Sequence, residues 1–205
     1  PFPAAAVNSM PTRSLPKQLG SLFARIADRH YVVAKLRSDP LYDAVFRQLN
    51  HSPLPLLDIG CGLGLLAFYL RSRGFKAPIL ALDYDERKIA EARRISAEHG
   101  FQTLQFDHFD VRQGLPDHRG NVTGLDMLQF FEPDELHHLL RTAADRVAPG
   151  GRLIVRSSIR DSSWRHRVTI AGDILAKGTL WMKSGPIHYP AREDFNTAGG
   201  ANRAQ

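Results

Sequence analysis

Apolar residues along this chain fall into two alternating rhythms. Short apolar runs, at 56–59, 79–82, 104–106, 122–125 and 153–155, read as strands. Between them apolar residues recur every three to four positions, as in Leu63, Leu66, Ala67, Leu70 and again in Leu136, Leu139, Leu140, Ala143, Val147. Those are helix stripes. Strands alternating with helices predict an α/β unit, a parallel sheet covered on both faces. Upstream, 15–37 carries Leu19, Leu22, Phe23, Ile26 and His30 on one stripe and predicts a single helix. Ser38-Asp39-Pro40 marks a new start, with Asp39 as N-cap, Pro40 at the first helical position and Leu41, Val45 and Leu49 inward. The expected organisation is a flexible tail at 1–13 and one domain over 14–190. Within it, 14–50 forms a helical cap, 54–157 the core and 158–190 a lid or insert. A second flexible tail spans 191–205.

The run Leu56-Leu57-Asp58-Ile59-Gly60-Cys61-Gly62-Leu63-Gly64-Leu65-Leu66 carries the most chemistry. A strand ends in an acid, three glycines follow at alternate positions, and a helix begins. Bare backbone admits close approach of a ligand, and a helix start offers N–H groups to a carboxylate or phosphate. A dinucleotide fingerprint needs a glycine at the sixth position after the first. Here that place is Leu65, and the third glycine comes early, at Gly64. Asp58 either faces the ligand or orients the turn. Cys61 fits as a small side chain within it. Ile79-Leu80-Ala81-Leu82-Asp83 also ends in an acid, and an acid at a second strand's tip can accept two hydrogen bonds from a ribose diol. Asp58, Asp83, Asp110 and Asp126 all fall at predicted strand ends, where open α/β sheets bind ligands.

These features, with Arg146-Val147-Ala148-Pro149-Gly150-Gly151 before the last run, resemble class I S-adenosylmethionine (SAM) methyltransferases in order and spacing over about 100 residues. The resemblance implies a Rossmann-like sheet of strand order 3-2-1-4-5, with SAM as cofactor and S-adenosylhomocysteine as product. It places Asp58, Gly60, Cys61, Gly62 and Gly64 around the methionine half. Asp83 falls on the ribose, Asp110 (with Asp107 as fallback) on the adenine and Asp126 beside the sulfonium, with Tyr84 and Val111 as further cofactor-binding residues. Family members usually add two antiparallel strands, which 195–205 cannot supply for want of an alternating apolar run.

For an acceptor hydroxyl a base is needed within about 3 Å. Asp126 is the first candidate and His188 the second, while Gln129 would orient the acceptor, with Trp164 and Arg167 of the 160s as further substrate residues. His137 and His138 read as rim residues. The stretch after the fourth run, Asp126-Met127-Leu128-Gln129, lacks the (Asn/Asp)-Pro-Pro-aromatic pattern of base-amine methyltransferases, and no Asp-Asn pair suggests a metal. Together with Lys35–Tyr42 and Ser163–Arg167, it is similar to bacterial methyltransferases encoded with synthases of aryl polyene pigments. That implies a hydroxylated aromatic or polyene, free or on an acyl carrier protein.

Composition narrows the setting. One cysteine in 205 residues excludes an internal disulfide and fits a reducing, cytoplasmic location. No apolar run reaches the ~20 residues of a membrane span. A net charge of +6 suits an anionic partner, but the basic residues are scattered, which argues against nucleic acid. RNA methylation and SAM binding without turnover are the alternatives, and a homodimer is compatible with the sequence.

Overall fold

A computed structural model of the chain describes residues 14–156. Five parallel strands form one sheet in the order β3-β2-β1-β4-β5: β1 (Leu56–Ile59), β2 (Ile79–Asp83), β3 (Leu104–His108), β4 (Asn121–Leu125) and β5 (Leu153–Arg156). The expected strand order is observed. Among the described residues six α-helices accompany it: α1 (Leu15–Ser21), α2 (Ile26–Ser38), α3 (Leu41–Leu49), α4 (Leu65–Ser72), α5 (Glu86–His99) and α6 (Pro133–Asp145). None of them is long and apolar enough to cross a membrane. The tails, the lid segment and the question of further strands lie outside the described residues.

β1 is the centre of the sheet, paired with β2 on one side and β4 on the other. Every one of its residues is buried, as expected where helices cover both faces. Its side chains alternate between two cores. Leu56 joins Ile79, Phe68, Ile89 and Phe106. Leu57 and Ile59 join Val122, Leu136 and Leu140 on the α6 side. The order reverses between β1 and β4, because β2 lies to one side of β1 and β4 to the other. A crevice opens there above the strand ends.

The single helix expected over 15–37 is broken. α1 ends at Ser21 and α2 begins at Ile26, with Leu22 and Phe23 buried between them. Gly20 permits the turn-back. A Cβ there would lie 2.6 Å from Val33 Cγ2, so the missing side chain is what lets α2 pack against α1. The stripe does not continue past the break: Ile26 is 71% exposed and His30 exposed, while Asp28 and Val32 face inward. At the next boundary α3 starts at Leu41, one residue later than expected. Pro40 rather than Asp39 is the N-cap; Asp39, one residue before it, accepts from the Leu41 N–H through Oδ1 at 3.0 Å.

Candidate functional site

The glycine turn after β1 is tied to β2. The N–H groups of Gly60 and Cys61 both donate to the Leu82 carbonyl, at 2.8 and 2.9 Å. Gly62 N–H donates to Asp83 Oδ2 at 2.8 Å, and Asp85 N–H to Asp83 Oδ1 at 2.8 Å. Asp83 therefore holds the turn in shape as well as lying at the β2 tip. Gly64 adopts φ +74° immediately before α4, and a Cβ on it would stand 2.4 Å from Phe106 Cε1. Gly62 has φ +55° and open space where its Cβ would be. The two should respond differently to alanine. Gly64→Ala adds left-handed strain to a clash with a buried ring and is expected to cost roughly 3 kcal/mol in urea unfolding. Gly62→Ala is expected to cost about 1 kcal/mol and to act mainly on ligand binding.

Above the strand ends lies a cavity of about 460 Å³. It is lined by Asp58, Gly60, Cys61, Gly62, Asp83, Tyr84, Asp110, Val111, Asp126 and Gln129, which the sequence had singled out. Asp107 and Gly64 are not in the lining: Asp107 pairs with Arg93 at 3.1 Å, and the bare face of Gly64 packs on Phe106 in the core. Trp164, Arg167 and His188 lie outside the described residues.

Asp58 is 2% exposed. Its Oδ1 accepts from Thr123 Oγ1 at 2.8 Å, across the β1–β4 register that sets the two residues side by side. Its Oδ2 is buried and has no hydrogen-bond partner. Burial pushes the carboxyl up to about 7; the Thr123 hydrogen bond opposes this and the charge of Asp83 adds to it. A buried acceptor without a donor is costly unless a ligand supplies one. Gln129 presents a second such atom. Its Nε2 donates to the Asp126 carbonyl at 3.0 Å, which leaves its buried Oε1 unpartnered. The Cys61 thiol is raised well above its ordinary range, first by burial and then by Asp58 and Asp83, so it stays protonated.

Toward β3, Asp110 caps a short 3₁₀ turn (Val111–Gln113) and pairs with Arg112. Arg112 also donates to the Phe130 carbonyl at 3.0 Å and lies over the Phe131 ring. Phe109, Val111, Phe130 and Phe131 form an apolar slot beside that ion pair.

Toward β5 the cavity wall is ionic. Arg156 bridges two carboxylates. It donates to Asp39 through both terminal nitrogens at 2.7 Å, and to Asp126 through Nε at 2.7 Å and also through Nη2. Lys35, from α2, reaches Asp39 at 3.0 Å and Asp126 at 3.1 Å. Asp126 itself sits at φ 57°, the sole non-glycine residue with positive φ among those described. Its expected role as a base meets a physical objection. Both carboxylate oxygens are already engaged, Oδ1 by Arg156 and Oδ2 by Arg156 and Lys35, so an acceptor hydroxyl must compete with two cations for them. Lys35 and Arg156 were not anticipated as site residues. Arg156 in particular ends a strand that carries no local sign of a charge cluster.

Comparison with known proteins fits this geometry. Residues 56–151 match the model of a methyltransferase domain family. Over 125 residues, 60% of this chain and 50% of the relative, the chain is 30% identical to the ubiquinone biosynthesis O-methyltransferase of Aeromonas salmonicida. It is 31% identical over 102 residues, 49% of this chain and 30% of the relative, to the ribosomal RNA small subunit methyltransferase C of Chromohalobacter salexigens. The chain thus spans half or less of the length of these relatives. Magnesium protoporphyrin IX methyltransferase from Synechocystis, solved with bound S-adenosylhomocysteine, shares the fold. Its TM-score is 0.60 at 21% identity, over 87% of this chain and 77% of that one. The pyocyanin biosynthetic protein PhzM shares it too, with a TM-score of 0.63 at 18% identity, over 87% and 52%.

Proposed function

We propose that this chain, whose residues 56–151 match a methyltransferase domain, binds SAM in the cavity above β1 and β2 and transfers its methyl group to a small or carrier-bound acceptor. The observation that carries the reading is Asp58 Oδ2, a buried carboxylate oxygen without a donor, beside a turn of left-handed glycines. An α-ammonium supplies the missing donor. The turn around Gly60, Cys61 and Gly62 leaves bare backbone for the amino-acid end. Each Asp83 oxygen has accepted one backbone N–H and keeps a lone pair for a ribose hydroxyl, with Tyr84 alongside. Asp110 and Val111, with the apolar slot, suit an adenine. SAM brings a methyl group already activated on a sulfonium. The chain's own work is to align the acceptor and exclude water.

Gln129 Oε1 is suited to orienting the acceptor, and Asp126 acts as the anchor of the ionic wall rather than as the base. His188, with Trp164 and Arg167, remains the proposed contribution of the segment after β5. The resemblance to aryl polyene methyltransferases and the +6 charge favour a hydroxylated aromatic or polyene, free or on an acidic carrier. The ribosomal RNA relative supports a second reading, methylation of RNA; a steep salt dependence of RNA binding would favour it.

Calorimetric titration with S-adenosylhomocysteine tests the reading. The chain is expected to bind it. Asp83→Ala, which removes both the ribose acceptor and the brace on Gly62, is expected to weaken binding by at least about tenfold. Absence of heat with well-folded protein would refute the cofactor assignment.

A further inference from the structure

Resting on that reading, the charged wall has a consequence for the acceptor. We propose that Lys35 is a catalytic cation that stabilises the ionised form of the acceptor oxygen, and that the acceptor is therefore an acidic hydroxyl of the phenol or enol type. The topology divides the cavity. The glycine turn, Asp83 and Asp110 occupy the β1–β2–β3 side, which the cofactor takes. The β4–β5 side is walled by Asp126, Arg156 and, from α2, Tyr31 and Lys35. That side is left for the acceptor.

Each polar group there answers one question, namely where the acceptor's proton goes. Asp126 is clamped by Arg156 and Lys35. Asp39 is held by the same two cations. The Tyr31 and Tyr42 hydroxyls are pushed up by burial and are poor bases. Gln129 offers an amide oxygen, which accepts a hydrogen bond but not a proton. Among the described residues this side of the cavity therefore holds no unclamped base. It does hold an ammonium. Burial alone would lower the Lys35 pKa, but Asp126 and Asp39 outweigh burial and keep it charged. Two of its three N–H donors are committed to those carboxylates. Lys35 lines the cavity, and the proposal gives its remaining N–H to the acceptor oxygen.

A fixed cation beside a hydroxyl favours the oxyanion. The proton leaves to bulk solvent before the acceptor is enclosed, so ionisation needs no base among the described residues. The oxyanion's lone pair then makes the new O–C bond while the C–S electrons return to sulfur, so an anion and a sulfonium become a neutral ether and thioether. A hydroxyl of alcohol acidity would gain too little from one ammonium; a phenol or enol gains enough.

The probe is 4-nitrophenol, whose ionised form is coloured, titrated from pH 5 to 9 with the full chain saturated with S-adenosylhomocysteine. The apparent pKa of the bound probe is expected to fall by about one unit, a tenfold rise in ionised fraction. Lys35→Gln is expected to abolish the fall. Asp39→Asn loosens the same ion-pair cluster but keeps the ammonium, and is expected to retain it. A bound probe with an unshifted or raised pKa, a shift that survives Lys35→Gln, or no binding of the probe at all would overturn the proposal. In each of those cases heat with S-adenosylhomocysteine leaves the cofactor reading standing. Loss of that heat in the unaltered chain brings down both.

Discussion

Asp58→Asn is expected to stabilise the unliganded protein at pH 8 and, in the same molecule, to weaken SAM binding by roughly 100-fold. The two effects share one cause. The carboxyl is buried, one oxygen has no donor, and burial moves its titration up to about 7 from the ordinary carboxylate value. Between those two pH values the folded chain holds a proton that the unfolded chain has lost. Stability therefore rises as pH falls from 7 toward 4, and above 7 the full penalty of a buried charge is present. That penalty is about 4 kcal/mol. Asparagine removes the charge but leaves a buried amide N–H without an acceptor, so only part is recovered, and thermal unfolding at pH 8 is expected to shift upward by roughly 5 °C, with little gain at pH 5 where Asp58 is already neutral. Binding runs the other way. The ammonium of SAM needs the ionised form, so the affinity of the unaltered chain should decline as pH drops below 7. 5′-Methylthioadenosine, which lacks the amino-acid end, should bind both forms alike at either pH. A variant that loses stability at pH 8, or binds SAM as tightly as before, would contradict this account.

Arg156→Met is expected to be the most damaging single change in the cavity wall, at roughly 2 kcal/mol for a cluster that is only partly shielded from solvent. It leaves Asp39 and Asp126 with Lys35 alone, and removes the fork that holds Asp126 in its left-handed conformation. Asp126→Gly relieves both problems at once, so the double variant should recover more than about 1 kcal/mol relative to the sum of the singles. Acid stability supplies a second check. Burial alone would raise the Asp39 carboxyl, but Arg156 and Lys35 overcome it and hold it well below the usual carboxylate range. A depressed acid contributes stability that is complete above pH 4 and lost as pH falls further. The unaltered chain should show that acid limb, and Arg156→Met should flatten it. A variant as stable as the parent would show that the ion-pair cluster is ornamental.

How legible was this site in advance? Apolar runs that end in an acid mark Asp58 and Asp83, because strand, tip and turn are contiguous in the chain. The helix stripe 136–143 is equally local, and α6 buries those residues as expected. What escapes is whatever depends on distant pairing. The partners of Arg156 lie 30 and 117 positions away, so no window around it reveals a charge cluster. The α1–α2 break was missed because the helical period runs on through Leu22 and Phe23. Its cause is Gly20 meeting Val33 across a turn, a contact that a periodicity cannot encode. Asp126 is legible as a strand-end acid, whereas its pairing with Lys35 and Arg156 is not, since that depends on α2 and β5 together.

The 117-residue span between Asp39 and Arg156 also bears on how the molecule is made. Contacts of such long sequence separation are slow to form, because the loop entropy must be met before they repay it. On a growing chain the α2 end of the wall waits until β5 has emerged, and the cluster closes last. Interactions absent from the folding barrier govern how fast the native state opens rather than how fast it forms. Arg156 should thus set the lifetime of the closed cavity while leaving the refolding rate almost untouched.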